Sequence, residues 1–258
     1  MLDPILLEIG PLSIHWYGAI MASAFVIGTL LALRFAKEEG IDGDHILTMV
    51  YWIIPLAILG ARAYYVILEW DQYKDDIANA FAIWHGGLAI HGGLIGGTLG
   101  AWLYLRKHDL PFFKLADIFL PSVIIGQALG RWGNFFNQEA HGGPVSEAFM
   151  DRFPDFIKNQ MYIDGTYYHP TFLYESVWNL LVFGILLLIR KYKKFDGAVL
   201  SGYLVLYSIG RFFVEGMRTD SLMIGPLRMA QVISIVLILL GVAIWFIRRR
   251  TAQKTTTA

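Results

Sequence analysis

Residues 229–247 read MAQVISIVLILLGVAIWFI, a run of 19 residues without a charged side chain, and residues 248–250 read RRR. A helix of about 20 mostly apolar residues is long enough to cross the hydrocarbon core of a bilayer. A basic cluster directly after such a run is typical of a cytoplasmic helix end. This stretch therefore predicts a membrane-spanning helix that ends in the cytoplasm.

Six further apolar runs of comparable character precede it, so the sequence predicts an all-α, polytopic membrane protein with about seven transmembrane helices. The 258 residues are expected to form a single integral membrane domain. The seven predicted spans are Tyr17–Leu33, Ile46–Leu68, Leu88–Leu105, Leu115–Leu129, Thr171–Ile189, Ala198–Val214 and Met229–Ile247. The fourth is short for a span.

The basic residues predict the orientation. Thirteen of the 21 Lys and Arg residues fall in one alternate set of connecting segments and seven in the other, with Arg62 inside a span. Because cytoplasmic segments carry the excess of basic residues, the N-terminus is expected outside and the C-terminus in the cytoplasm. The long polar loops, about 69–87 and 130–170, then face outward, and the polar tail 251–258 is cytoplasmic and expected to be disordered.

Composition excludes several classes of protein. The 21 basic residues balance 21 acidic ones, so the basic excess that nucleic-acid binding requires is missing. The chain has no cysteine, which excludes disulfide scaffolds, thiolate metal sites and an enzyme-borne cysteine nucleophile. No metal-binding motif and no cofactor motif is present, so neither a metal nor a cofactor is expected.

Polar residues crowd the outer end of the fourth predicted span. Residues 130–139 read GRWGNFFNQE, which places Arg131, Asn134, Asn137 and Glu139 where charges cost several kcal/mol unless they are paired or hydrated. Such residues are a hypothesis of function by default.

A second polar group ends the sixth predicted span on the same side. Arg211 and Glu215 lie four residues apart and share a helical face. Two arginines that face one outward cavity would suit a bidentate anion, most naturally a phosphate. The alternative is that the pairs Arg131–Glu139 and Arg211–Glu215 are structural ion pairs that tie helix ends together.

Other polar positions carry less information. His91 lies near the outer end of the third span and is a candidate for proton transfer, or else a hydrogen-bonded packing residue. Tyr17 is a candidate contact or an ordinary interfacial aromatic residue. Glu175 is charged near the membrane surface, and Arg62, nearly mid-span, requires a carboxylate, a carbonyl or water.

Residues 130–139 resemble the signature Gly-Arg-x-Gly-Asn-Phe-x-Asn-x-Glu of the prolipoprotein diacylglyceryl transferases of the bacterial inner membrane. The matching residues are Gly130, Arg131, Gly133, Asn134, Phe135, Asn137 and Glu139, with Gly142 at the family's downstream glycine. The resemblance extends in order to Tyr17-Gly18, to 91–93, to 169–176 and to 211–215. It implies seven spans with the N-terminus outside, the orientation that the loop charges predict independently.

The resemblance implies a reaction. Members of the family transfer the diacylglyceryl group of phosphatidylglycerol to the thiol of a lipobox cysteine in the signal peptide of a preprolipoprotein and release glycerol phosphate. The expected partners are therefore phosphatidylglycerol, that signal peptide and membrane lipids, and the active site faces outward. The lack of cysteine in this chain fits, since the substrate supplies the sulfur.

The resemblance also implies roles for individual residues. Arg131 would bind the phosphatidylglycerol headgroup, Arg211 would lie beside the phosphate, and Glu215 would hold Arg211. His91 would be the general base toward the thiol, unless an arginine lowers the thiol pKa enough to make a base unnecessary. The remaining expected substrate contacts are Asn134, Asn137, Glu139, Gly142 and Tyr17.

The sequence lacks the features of two rival functions. An intramembrane protease needs a Gly-x-Ser-x-Gly nucleophile, a His-Glu-x-x-His zinc site or paired intramembrane aspartates, and the sequence has none of them. A transporter or channel would show polar groups on both sides of the membrane and repeat symmetry. Here the polar groups crowd one side.

Overall fold

The computed structural model describes residues 2–10, 12–74, 76–83, 86–219 and 223–257, and most of them are helical. The helices are α1 Trp16–Glu38, α2 Gly43–Leu68, α3 Trp70–Tyr73, α4 Ile90–Lys107, α5 Phe112–Asn137, α6 Glu147–Met150, α7 Asp155–Gln160, α8 Thr171–Tyr192, α9 Ala198–Met217 and α10 Met229–Thr257, with a 3₁₀ helix at Ile77–Phe81. The strands are β1 Ile5–Ile9, β2 Leu12–His15, β3 Pro144–Val145, β4 Tyr162–Ile163, β5 Thr166–Tyr168, β6 Met223–Ile224 and β7 Leu227–Arg228.

The predicted fold class is confirmed. Within the described residues, six helices, α1, α2, α5, α8, α9 and α10, are long and apolar enough to cross a membrane. The third predicted span is also a helix, α4, but its 18 residues include five glycines, a histidine and two basic residues, so it is less apolar than the others. Short strands and helices fill the connections between the long helices.

Two boundaries differ from the sequence predictions. The fourth span is not short: α5 has 26 residues and continues to Asn137, so residues 130–137 belong to a helix and the connection to α8 begins at 138. No proline follows Pro121 in this helix to end it earlier. The expected disorder of the tail is wrong for residues 251–257, which extend α10 because no glycine or proline interrupts them; Ala258 lies outside the described residues.

The chain divides into two compact units. The first unit contains Met1–Ala32 and Ala116–Ala258, and the second contains Leu33–Leu115. The expectation of one membrane domain stays a prediction, and each unit is described by itself.

Close contact between α2 and α4 organises the second unit. A Cβ atom on Gly60, Gly92 or Gly96 would overlap the backbone of the opposite helix. Small residues allow two helix backbones to approach in this way, as is common in membranes. The start of α4, which carries His91, is therefore fixed against α2.

Arg62 of α2 fixes the connection that leads into α4. Its guanidinium donates hydrogen bonds to the carbonyl oxygens of Asn79, Ala80, Gly86 and Gly87 at 2.7 to 3.0 Å. It also lies over the ring of Tyr73, 5.1 Å from the centroid. Carbonyl oxygens thus satisfy the guanidinium of Arg62. Carbonyls are one of the three kinds of partner, with carboxylates and water, that the sequence predicts for this arginine.

In the first unit, the connection between α5 and α8 folds into a small layer over the end of α5. Strand β5 lies between β3 and β4, and both pairings are antiparallel. Buried apolar side chains join this layer to the helices: Phe135, Met150, Ile157, Met161 and Phe172. The layer holds the ends of α5 and α8 together, where the polar residues of both helices meet.

Candidate active site

Two arginines on different helices share one carboxylate. Nη2 of Arg131, on α5, lies 2.6 Å from Oε1 of Glu175, on α8, and Nη1 of Arg211, on α9, lies 3.4 Å from Oε2 of the same residue. Nη2 of Arg211 also lies 2.5 Å from Oε2 of Glu215, one helical turn further along α9. The four side chains form a cluster that is neutral overall.

The arginines are the accessible part of this cluster. The side chains of Glu175 and Glu215 are 3% and 6% exposed, whereas those of Arg131 and Arg211 are 22% and 17% exposed. A molecule that approaches the cluster therefore meets guanidinium groups, with the carboxylates behind them. Paired guanidiniums present several N–H donors in fixed directions and bind phosphate well.

Of the two ion pairs that the sequence suggests as structural alternatives, only one forms. Arg211 and Glu215 do pair, as the four-residue spacing suggests. The pair Arg131–Glu139 does not form, because Arg131 contacts Glu175 instead. Glu139 accepts hydrogen bonds from Nδ2 of Asn134 at 2.8 Å and from Nδ2 of Asn137 at 3.4 Å.

Asn134 connects these two groups of residues. Its Oδ1 accepts a hydrogen bond from Nη1 of Arg131 at 3.3 Å, while its Nδ2 donates to Glu139. Arg131, Asn134 and Asn137 recur every three residues and so lie on neighbouring positions of the α5 surface. The polar residues of the signature, Arg131, Asn134, Asn137 and Glu139, thus form one continuous network at the end of α5.

The backbone around Glu139 is held in an unusual conformation. Gln138 and Ala140 have φ of 55° and 56°, in the left-handed region that costs free energy for residues other than glycine. The Gln138 side chain donates to the carbonyl of Gln160 at 2.7 Å, and the Thr171 hydroxyl donates to that of Ala140 at 2.7 Å. These bonds turn the chain sharply and direct Glu139 back toward α5.

Two glycines of the signature region have packing roles. A Cβ on Gly133 would lie 2.5 Å from Cδ2 of Tyr17, so this glycine lets the Tyr17 ring lie directly on α5. A Cβ on Gly142 would lie 2.6 Å from Cβ of His169. The N–H of Gly142 also donates to the carbonyl of His169 at 3.1 Å. Gly142 therefore lies in tight packing at the start of α8, and its expected contact with substrate stays a prediction.

His91 lies in the second unit, whereas Arg131 and Arg211 belong to the first. It occupies the first turn of α4, is exposed, and its ring centroid is 6.1 Å from that of Tyr64. The role of His91 as a base stays a prediction.

Three residues at the site were not singled out for a site role from the sequence. In the sequence, Glu175 is recognisable only as a charge near the membrane surface. Tyr207, on α9, hydrogen-bonds the Arg131 side chain. Gln160, 1% exposed, donates to the carbonyls of Phe135 and Phe136 near the end of α5. The only signal in the sequence that could have indicated Glu175 is a charged residue near the membrane surface. Tyr207 and Gln160 give no such signal, since neither tyrosine nor glutamine is unusual at such positions.

The sequence profile of the family described as prolipoprotein diacylglyceryl transferase matches residues 4–247. The chain belongs to the prolipoprotein diacylglyceryl transferase family. The resemblance found in the signature is therefore confirmed, and it extends over almost the whole chain.

Relatives named phosphatidylglycerol–prolipoprotein diacylglyceryl transferase share about half of its residues. The protein of Listeria monocytogenes serotype 4a (strain HCC23) is 54% identical over 250 residues, which cover 96% of this chain and 90% of the relative. That of Geobacillus kaustophilus (strain HTA426) is 52% identical, with 96% and 93% covered. That of Halalkalibacterium halodurans is 51% identical, with 98% and 89% covered.

Proposed function

We propose that this multi-pass membrane protein transfers the diacylglyceryl group of phosphatidylglycerol to the lipobox cysteine of a preprolipoprotein, the first step of lipoprotein maturation. Membership of the prolipoprotein diacylglyceryl transferase family and the names of relatives that align along nearly all of the chain support this activity. The reaction forms a bond between sulfur and a glycerol carbon and breaks the bond from that carbon to a phosphate oxygen. Glycerol phosphate leaves with the electron pair.

The shared contact of Arg131 and Arg211 with Glu175 carries the mechanistic proposal. The phosphate of phosphatidylglycerol binds the exposed side of the two guanidiniums. Negative charge grows on this phosphate as the bond to carbon breaks, and donors already held in place stabilise it without having to reorganise. Glu175 and Glu215 hold the arginines from behind, and the lipid is thereby positioned for in-line attack.

The polar network at the end of α5 binds the rest of the headgroup. Asn134, Asn137 and Glu139 orient its hydroxyls and, through Asn134, also Arg131. Beside Asn137 and Glu139 lies an open cavity of about 740 Å³ that is also lined by Asp3 and His15. The polar residues in its mixed lining and its position next to the network suit a glycerol headgroup.

The remaining expected residues complete the proposal. Tyr17 lies on Gly133, within the signature, and contacts the headgroup or the thiol. Gly142 supports the substrate site by letting the chain pack closely at the start of α8. His91 accepts the thiol proton, a modest task because a thiol has a pKa of about 8.5.

The charge bias of the sequence supports the orientation, and membership of the family supports the choice of membrane. We place the protein in the bacterial cytoplasmic membrane with the N-terminus outside, the C-terminus in the cytoplasm and the arginine cluster toward the outer side. The substrates, a membrane lipid and a secreted preprotein, are both accessible there.

The test of the phosphate site is substitution of Arg131. With phosphatidylglycerol and a lipobox peptide, we expect Arg131→Ala to lower product formation by at least about 100-fold, the usual effect of losing one donor to a developing charge. The control is Arg152→Ala, which removes an exposed arginine that rests on the ring of Phe149 outside the cluster. Wild-type turnover by Arg131→Ala would refute the phosphate role.

The role of His91 has a separate test. We expect His91→Asn to abolish the acidic limb of the pH–rate profile, because a general base loses activity when it is protonated. A mutant that retains this limb would show that the thiolate forms without this histidine.

A further inference from the structure

A cavity of about 980 Å³ lies at the end of the first unit opposite the arginine cluster. It is formed by the end of α8, the start of α9 and the end of α10. Glu175 and Leu188 are 13 residues apart on α8, which corresponds to about 20 Å along the helix axis. The cavity is therefore separate from the proposed active site.

The wall of this cavity is apolar and aromatic. It includes Leu188, Ile189, Phe195 and Trp245, and the rings of Phe195 and Trp245 meet edge to face at a centroid distance of 5.1 Å. Such a surface suits hydrocarbon, and the volume is at the upper end of the range of small-ligand sites. A free inorganic anion would leave this wall unused.

The rim of the cavity carries positive charge that the protein does not neutralise. Lys193 is engaged, because its Nζ lies 3.3 Å from both Asp117 Oδ2 and Asp196 Oδ1. Lys194 and Arg249 also line the cavity and are exposed, and within the described part of the chain neither has an ion pair or a hydrogen bond of its side chain. Two unpaired cations beside an apolar wall match an amphiphile with an anionic head.

We propose that this cavity binds one anionic phospholipid from the leaflet at this end of the bundle. The phosphate lies between Lys194 and Arg249, and an acyl chain lies along Leu188, Ile189 and Trp245. With the orientation proposed above, this is the cytoplasmic leaflet, whose anionic lipids are attracted to basic clusters between helices. A zwitterionic lipid binds less well, because its ammonium group is repelled by the same two cations.

Trp245 provides a local readout. The full-length protein would be placed in phosphatidylcholine nanodiscs that contain a small fraction of acyl-brominated phosphatidic acid or, for comparison, acyl-brominated phosphatidylcholine. Bromine quenches tryptophan fluorescence only in near contact, and subtraction of the same measurement on Trp245→Phe isolates Trp245 from the other seven tryptophans. Phosphatidic acid is chosen because it is anionic without being the proposed substrate.

We expect brominated phosphatidic acid to quench Trp245 at least about threefold more than brominated phosphatidylcholine at the same mole fraction. In the double variant Lys194→Gln/Arg249→Gln, this excess should fall to the level of phosphatidylcholine. Equal quenching by the two lipids in the wild-type protein would overturn the proposal. This comparison uses only the cavity of the wild-type protein, so it does not depend on whether the rim variant folds.

A matched control distinguishes a site from diffuse charge attraction. Lys191→Gln/Arg250→Gln removes two positive charges at the same end of the bundle from residues that do not line the cavity. The excess quenching should persist in this variant. If it falls as far as in the rim variant, the lipid is attracted by general surface charge and the proposed site is refuted.

Discussion

At Glu175, a single buried carboxylate balances guanidiniums from two helices. Removal of one member of a buried charge group is costly, because the remaining charges lose their partner in a poorly hydrated environment. Glu175→Gln keeps the shape of the side chain but leaves Arg131 and Arg211 without their shared anion. They should then adopt several orientations instead of one.

The expected result for Glu175→Gln is a fall in kcat/KM for phosphatidylglycerol of about 10- to 100-fold, which corresponds to the loss of one charged hydrogen bond. The measurement is the initial rate of lipid transfer as phosphatidylglycerol is varied. Glu147→Gln is the control: Glu147 is an exposed carboxylate that contacts Lys158, which retains its second partner Asp151. Equal activities of the two variants would contradict the bridging role of Glu175.

At the scale of elements, the fit of the Tyr17 ring of α1 against α5 depends on one glycine. A Cβ on Gly133 would overlap the Tyr17 ring, whereas a Cβ on Gly126, seven residues earlier on the same helix, would meet nothing within 4 Å. Alanine otherwise favours a helix over glycine by up to about 1 kcal/mol. The two substitutions therefore separate packing from helix propensity.

We expect Gly133→Ala to displace Tyr17 and to lower both the thermal midpoint and transferase activity, and Gly126→Ala to leave the midpoint unchanged or raise it slightly. Thermal unfolding in detergent and the transfer assay provide the two measurements. If Gly133→Ala behaves like Gly126→Ala, the Tyr17 ring does not depend on this glycine.

The connection between α5 and α8 should be sensitive to acid. Burial lowers the pKa of His169, whose Nδ1 is 3.3 Å from the Tyr174 hydroxyl. The folded form therefore binds a proton less readily than the unfolded chain does. The stability that neutral His169 contributes is complete above the unfolded pKa of about 6.5 and is lost as the pH falls.

The thermal midpoint should consequently fall between pH 7.5 and pH 5.5 by more in the wild-type protein than in His169→Gln. The variant removes the titrating group and keeps the backbone bonds that residue 169 makes with Gly142 and Gly143. All other ionisable groups are the same in both proteins, so the difference between the two pH dependences reports on His169 alone. Parallel curves would exclude His169 as a source of acid sensitivity.

For the whole molecule, the proposed orientation can be tested by chemical labelling. The chain has no cysteine, so a single introduced thiol reports on one position without background. Asn159 is exposed in the connection between α5 and α8, and Thr251 is exposed near the end of α10. In intact cells, a membrane-impermeant maleimide should label Asn159→Cys and should label Thr251→Cys only after permeabilisation. The reverse pattern would contradict the orientation.

Hydropathy and charge sufficed to predict much of the architecture. Apolar length is a local property of the chain, so the spans, their order and the fold class could be read from runs such as residues 229–247. Helix ends were harder to predict from the sequence, since α5 continues through residues that are polar enough to suggest a loop. This end of the helix contacts Gln160 and the packing layer, both of which are distant in sequence.

The sequence by itself determined the family, through the GRWGNFFNQE signature, and it identified Arg131 and Arg211 as candidates because charges are costly at membrane depth. The spacing of Arg211 and Glu215 suggested one ion pair, but only the tertiary structure decided that both arginines meet Glu175. Glu175 is 36 residues from Arg211 along the chain, and no local pattern links them. Ion pairing acts through space over a few ångströms, so partners on separate helices become visible only when those helices are packed.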